Sequence, residues 1–244
     1  MNKDRFKNVV EQYDSVMNHN FLVRYLHEIR FKKIIEVFSE LSSKKAGEPI
    51  SIVDIGCANG KLFGVLARQF NVSYLGIEPS KDFVDMARKQ YGHCENFQVI
   101  QDTVMNHLEL LEGKDIIVAL ETFEHIKEHE VVRIVEAIAE ARPAYLVSSV
   151  PVEIGPAIWF KNAGSFLFGY SRHLEYTWRE TFWSGLYMLD KLEPHDFRHK
   201  GFDWRWLAQT IRHNMKIIQF SKFPLNFLPA AFAFSVYFIA KPRA

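Results

Sequence analysis

Ser51-Ile52-Val53-Asp54-Ile55-Gly56-Cys57-Ala58-Asn59-Gly60 reads as a short β-branched strand ending in an acid, followed by a Gly-x-x-x-Gly turn and an apolar-periodic helix. Glycines at Gly56 and Gly60 let backbone N–H groups approach a ligand where a Cβ would clash. The helix that follows points its positive end at that ligand. Such glycine spacing also suits a plain strand-to-helix turn, so the neighbouring segments decide between the two readings.

About twenty residues on, Val72-Ser73-Tyr74-Leu75-Gly76-Ile77 runs into Glu78-Pro79-Ser80, which sets a carboxylate at the end of a second strand. An acid there accepts both hydrogen bonds of a ribose diol. A third strand, Phe97-Gln98-Val99-Ile100, ends at Gln101-Asp102-Thr103, and a fourth, Asp115 to Leu120, ends at Glu121. Helical patterns at Leu62 to Phe70 and Phe83 to Tyr91 separate the strands, so the alternation predicts a parallel sheet with helices on both faces. Ligands of such sheets sit beyond the carboxyl ends of the strands. Each acid also has a plainer reading: Asp54 as a helix N-cap or turn former, Asp102 as an Asx-turn, Glu78 as an exposed strand-end charge.

Through Val53 to Gly60, Gly76-Ile77-Glu78-Pro79-Ser80, Gln101-Asp102-Thr103 and Ala119-Leu120-Glu121-Thr122-Phe123-Glu124-His125-Ile126, the chain resembles the class I S-adenosylmethionine-dependent methyltransferases over roughly residues 50–150. The signals occur in that family's order. A dinucleotide oxidoreductase more often shows Gly-x-Gly-x-x-Gly after the strand, and here Gly56 is followed by Cys57-Ala58-Asn59.

The resemblance implies S-adenosylmethionine as cofactor. Asp54 and the backbone from Gly56 through Cys57 to Gly60 would hold its methionine portion, Glu78 beside Pro79 the ribose hydroxyls, and Asp102 with the Thr103 backbone the adenine edge. Leu120 closes the cofactor set. Ala58 stands where the family often has a further glycine, a change that costs little unless the position needs positive φ. The implied fold is a Rossmann-like seven-stranded, mostly parallel sheet with an antiparallel last strand, an N-terminal helical cap and an aromatic-rich insertion after the fifth strand.

The chain has 244 residues, 48% of them hydrophobic and 14% aromatic, enough for one substantial core. A formal net charge of +1 removes any general electrostatic argument for nucleic acid. Cys57 and Cys94 lack paired spacing, which suggests neither a disulfide framework nor a zinc knuckle and fits a reducing cytoplasm. The opening residues carry no apolar signal-peptide core. Leu225 to Ala240 is greasy but short and interrupted by Asn226, Pro229 and Ser235, so it reads as a buried strand over Ala233–Ala240 rather than a membrane span. Peripheral membrane contact stays open, and oligomeric state is not legible.

Residues 1–46 read as the helical cap, with an amphipathic helix around Phe6 to Met17 and a longer one from Phe21 to Leu41. Tyr13 or Arg24 would line the pocket, or the helices simply pack on the sheet. Residues 47–244 form the methyltransferase domain. After a fifth strand, Tyr145 to Val150, regularity lapses over 151–202, where Trp159, Phe160, Tyr176, Trp178, Phe182 and Trp183 suggest a lid or substrate insertion. The same aromatics also suit a private mini-core or a dimer surface. A helix from Trp204 to Asn214, a strand Lys216 to Ser221 and the last strand complete the chain.

Glu121-Thr122-Phe123-Glu124-His125 leaves the fourth strand, and this Glu-x-x-Glu-His pattern resembles that of ubiquinone-biosynthesis O-methyltransferases and small-RNA 2′-O-methyltransferases. The likeness implies a divalent cation such as Mg held by Glu121, Glu124 and His125, lowering the pKa of an acceptor hydroxyl. Without metal, His125 alone takes the proton, or Glu121 and His125 act as a base and its orienter. Equally, the carboxylate caps a helix and the histidine packs near the cofactor. His173 and His199 are further ligand candidates, or loop histidines. The expected activity is O-methylation of a small, partly hydrophobic hydroxyl compound: a quinone precursor, phenol, glycan or lipid-linked intermediate. RNA 2′-O-methylation, without a basic segment to support it, and a non-catalytic cofactor-binding scaffold are the alternatives.

Overall fold

Ile50–Ile55 forms β1, and its continuous apolar run is what a strand buried on both faces requires. The computed structural model describes residues 21–167, 176–192 and 200–243. After α1 (Phe21–Lys44) and β1 come α2 (Lys61–Leu66), β2 (Val72–Ile77), α3 (Lys81–Tyr91), β3 (Phe97–Ile100), β4 (Ile116–Leu120), α4 (Glu128–Ala141), β5 (Tyr145–Pro151), α5 (Ala157–Leu167), α6 (Trp178–Gly185), α7 (Trp204–Asn214), β6 (Met215–Phe223) and β7 (Ser235–Pro242).

The strands make one seven-stranded sheet in the order β3-β2-β1-β4-β5-β7-β6. β1 pairs in parallel with β2 and β4, β2 with β3, and β4 with β5. β7 inserts antiparallel between β5 and β6. Strand order therefore reverses between β1 and β4, and the chain leaves those two strands in opposite directions along the sheet. That divergence opens the crevice in which doubly wound sheets bind ligands.

One face of the sheet is covered by α4 and α7, whose Val131, Ile134, Val135, Ile138, Leu207 and Ile211 bury against Val53, Ile55, Ile117 and Phe238. The other face meets α1 and α2, through Ile34, Phe38, Leu62, Phe63 and Leu66 packed with Ile50, Ile52, Tyr74 and Val118. Alternation along β1 sends Ile50 and Ile52 to one layer, Val53 and Ile55 to the other. In α1 the spacing Ile34, Val37, Phe38, Leu41 is one helical stripe, all of it buried. Those residues pack on the sheet, while Tyr13, the helix expected over Phe6–Met17 and the side chain of Arg24 lie outside what is described.

Two expectations differ from the structure. α2 stops at Leu66 instead of reaching Phe70, because the chain must turn so that Asn71 can accept from Ile50 and Val72 can begin β2. The stretch after β5 is less irregular than its composition implied: it contains α5 and α6. Among the described residues no helix is long and apolar enough to cross a membrane, and the greasy C-terminal segment is largely β7, with Val236, Phe238 and Ala240 fully buried.

Candidate functional site

Parallel pairing brings the ends of β3, β2, β1 and β4 to one edge in that order, with Asp102, Glu78, the Gly56–Gly60 loop and Glu121 following them. Backbone bonds continue past the strand ends: Gly56 N–H donates to Ile77 at 2.8 Å, Glu78 N–H to Ile100 at 3.0 Å and Glu121 N–H to Ser149 at 2.8 Å. Loop positions are thus set by the sheet itself.

Gly56 and Gly60 adopt φ of 71° and 73°, and Ala58 between them adopts 46°. Ala58 therefore occupies a left-handed conformation, the condition under which an alanine is costly. The strain is about 1 kcal/mol relative to glycine. A Cβ on Gly56 would stand 2.6 Å from Thr122 Cγ2, so the loop after β1 and the turn after β4 press together here. The Thr122 hydroxyl is shared between Ile55 O at 2.9 Å and Leu120 O at 3.0 Å, which stitches the two diverging strands.

Glu78 is 7% exposed. Its Oε2 accepts from Ala58 N–H at 3.0 Å and its Oε1 from Ser80 N–H at 2.9 Å. The carboxylate locks the strained loop and keeps lone pairs for a ligand, since a carboxylate offers about four acceptor positions. Burial raises its pKa, and the two amides pull it back. Pro79 is exposed beside it, and Leu120 is half-buried at the end of β4.

Asp54 lies on the same face of β1 as Ile52, and the register sets Tyr74 of β2 opposite Ile52. The Tyr74 hydroxyl donates to Asp54 Oδ2 at 2.5 Å. Burial pushes the Asp54 carboxyl up to about 7, with the Tyr74 bond opposing the rise and the Glu78 charge adding to it. Tyr74 went unnoticed in the sequence, although period-2 alternation with β1 and β2 in step would have paired it with the acid. Between pH 4 and 7 the folded chain holds a proton here that the unfolded chain has released, so this group's stabilisation is full below about 4 and lost as pH rises to about 7. Asp54→Asn is expected to gain on wild type by about 3 kcal/mol between pH 5 and pH 8 in urea unfolding. A gap that stays constant over that range contradicts the assignment.

Cys57 is buried, with its thiol pKa raised by burial and by the charges of Asp54 and Glu78, so the side chain is a packing group and not a nucleophile. Its Sγ fills the space over Gly76, where a Cβ would come within 2.5 Å. Asp102 is engaged locally: Oδ1 accepts from Thr103 N–H at 2.7 Å and Asn106 Nδ2 at 2.9 Å, and Oδ2 lies 3.0 Å from His107 Nε2. The Thr103 and Asn106 bonds hold its carboxyl below the usual range. Asp102 is thus held within its own loop, and the Thr103 N–H already has an acceptor.

Glu121 adopts φ 51°, a left-handed conformation that is uncommon for a non-glycine residue and tends to cluster where chemistry occurs. Ser149 Oγ donates to its Oε1 at 3.2 Å. The Phe123–His125 segment is a single 3-10 turn, and successive residues of such a turn point about 120° apart. Phe123 and Glu124 are accordingly buried, while His125 is exposed. The expected metal set of Glu121, Glu124 and His125 does not converge, and the described residues contain no group of three His, Cys, Asp or Glu side chains placed to hold a metal ion. His173 and His199 lie outside the described residues.

Beyond β5, Glu153 is fully buried and pairs with Lys161 of α5 at 3.5 Å, while Lys161 Nζ also donates to Val152 O and Phe234 O, each at 2.7 Å. Tyr176 donates to Glu153 at 3.2 Å and accepts from Gly201 N–H at 2.9 Å. Lys200 pairs with Glu180 and sits over the Tyr176 ring. Glu180 closes a capping box with Thr177 at the start of α6. That Thr-x-x-Glu spacing was readable in the sequence and would have located the helix; the aromatics on both its faces obscured it.

Residues 52–142 match a family model described as a methyltransferase domain. A stretch of 116 residues is 31% identical to the ubiquinone biosynthesis O-methyltransferase of Pelagibacter ubique (strain HTCC1062), and it spans 45% of this chain and 45% of that protein. Among solved structures, the methyltransferase domain of bacterial CtHen1 is similar with a TM-score of 0.59 at 14% identity, over 90% of this chain and all of that one. Magnesium protoporphyrin IX methyltransferase (ChlM) from Synechocystis PCC 6803, solved with bound SAH, gives 0.59 at 14% identity over 97% of this chain and 94% of that chain. These structural likenesses establish the fold.

Proposed function

We propose that the chain, whose residues 52–142 match a methyltransferase-domain model, transfers a methyl group from S-adenosylmethionine to the hydroxyl of a small, partly hydrophobic compound. One observation carries the reading: Glu78 is buried at the end of β2, the neighbour of β1, with both oxygens fixed by the loop and turn amides. S-adenosylmethionine, when bound, supplies a methyl group on a sulfonium that needs no further activation. The chain's own task is then positioning and exclusion of water.

In this reading Glu78 accepts the ribose hydroxyls, and the backbone of Gly56–Gly60 cradles the methionine portion. His125, exposed beside the crevice, receives the proton released when the acceptor oxygen gains its methyl group, and Glu121 orients the imidazole or the acceptor. Glu121, Glu124 and His125 do not converge on a metal position, and no other set among the described residues does. Residues 1–46 serve as a cap and 151–202 as the substrate insertion, whose aromatic side chains favour an acceptor with apolar surface. The similarity to an enzyme named for ubiquinone biosynthesis supports oxygen as the accepting atom. A net charge of +1 gives RNA no electrostatic hold.

The test is transfer of label from methyl-labelled S-adenosylmethionine into fractionated cell extract. Label is expected in small organic-extractable compounds. Label confined to RNA would replace this acceptor class, and absence of label from every fraction, with cofactor binding intact, would leave a scaffold.

A further inference from the structure

Asp54 and Glu78 flank the Gly56–Gly60 loop, and both are buried, at 3% and 7% exposure. Among the described residues, every hydrogen bond they receive comes from an uncharged donor: Asp54 Oδ2 from the Tyr74 phenol, the Glu78 oxygens from the Ala58 and Ser80 amides. The register partners of Asp54, Gly76 on β2 and Val118 on β4, bring no charge. α1 and α2 close this layer with Ile34, Phe38, Leu62 and Phe63. The titratable groups around Asp54 are Tyr74, Cys57 and Glu78, none of them cationic. Neither carboxylate has an ion-pair partner among the described residues.

A carboxylate out of water with no cation beside it either binds a proton or recruits a positive charge. Glu78, with two N–H donors, keeps its charge more readily than Asp54, which has one O–H donor. Burial accordingly raises Asp54 to about 7. The methionine end of S-adenosylmethionine carries an α-ammonium, the charge that this end of β1 lacks. We propose that the free chain holds a proton on Asp54 and that binding of the cofactor expels it, the α-ammonium replacing it as the positive partner of the carboxylate. The O–H bond of the Asp54 carboxyl breaks, the proton passes to solvent, and Tyr74 keeps its own proton and its bond to Oδ2. The inference rests on the proposed use of this cofactor and adds that the site is loaded by exchange against one proton.

S-adenosylhomocysteine has the ammonium but no sulfonium, and its calorimetric titration into the full chain at pH 6, in buffers of different ionisation heat, counts the protons released. About 0.9 proton is expected to leave per molecule bound, and affinity should rise about fifteenfold from pH 5.5 to pH 7. 5′-Methylthioadenosine, which keeps adenine and ribose and lacks the ammonium, should bind without that release. Asp54→Asn should bind S-adenosylhomocysteine with no release and with affinity nearly level over the same range. Tyr74→Phe should keep the release and move its midpoint to higher pH, because Asp54 without the phenol bond holds its proton more tightly. Binding of S-adenosylhomocysteine with no proton released, equal release by 5′-methylthioadenosine, or release that survives Asp54→Asn overturns the exchange and leaves the proposed function standing. Absence of S-adenosylhomocysteine binding at every pH overturns both. The wild-type comparison of the two ligands decides by itself should a variant fail to fold.

Discussion

Glu78→Ala is expected to lose S-adenosylmethionine affinity by at least about a hundredfold while the far-ultraviolet circular dichroism stays that of wild type. Two contributions add. Hydrogen bonds to a charged acceptor are worth about 1.5–3 kcal/mol each, so losing those to the ribose diol alone accounts for about that factor. The second is internal: Ala58 N–H loses its acceptor, and a loop held at φ 46° in an alanine no longer has its tether. Glu78→Gln is expected to rescue little, although it is nearly isosteric. Each Glu78 oxygen faces a backbone N–H, and a carboxamide must turn its own N–H against one of them. Equilibrium dialysis measures both variants; wild-type affinity in Glu78→Ala would remove the central support for the proposed function.

Lys161→Met is expected to cost about 3–5 kcal/mol of stability, because it removes an ion-pair partner of a buried carboxylate. Glu153 has 0% exposure and Lys161 is its ion-pair partner at 3.5 Å, and the same ammonium holds Val152 O and Phe234 O. For a chain of this size the loss corresponds to a fall of about 6–20 °C in the thermal midpoint. Pairing it with Glu153→Leu is expected to restore much of the loss, since replacing a whole buried pair by apolar groups is often close to neutral. A midpoint for Lys161→Met within about 2 °C of wild type, less than 1 kcal/mol would produce, would show that the pair does not hold α5 to the end of β5.

How much could be read in advance varies with the kind of residue. β2, β3 and α7 occur where their patterns placed them, and β1, β4 and β5 differ by a residue or so at an end. Strands buried on both faces must be continuous apolar runs, and few other segments are. α6 escaped notice because Trp178, Phe182 and Trp183 surround it with aromatics and blur the helical period. The acids were visible as residues, but their states were not. Asp54 has a raised pKa because packing between distant segments buries it, with the Glu78 charge adding to the rise and the Tyr74 bond opposing it. Asp102 appeared in advance both as a turn former and as a ligand-edge residue, and its contacts run to Thr103, Asn106 and His107 of its own loop.

The succession of strands and helices and the acidic strand ends were determined by the amino-acid sequence alone. Local propensity and alternation act over a few residues, and the handedness of βαβ units then leaves few topologies. Tertiary structure decided what those residues do there. It put Ala58 and Glu121 at positive φ, turned Glu124 inward and His125 outward so that no metal set forms among the described residues, and left Asn162 Oδ1 buried without a partner. Direction, desolvation and partner are properties of packing between segments far apart in the chain, and no local pattern encodes them.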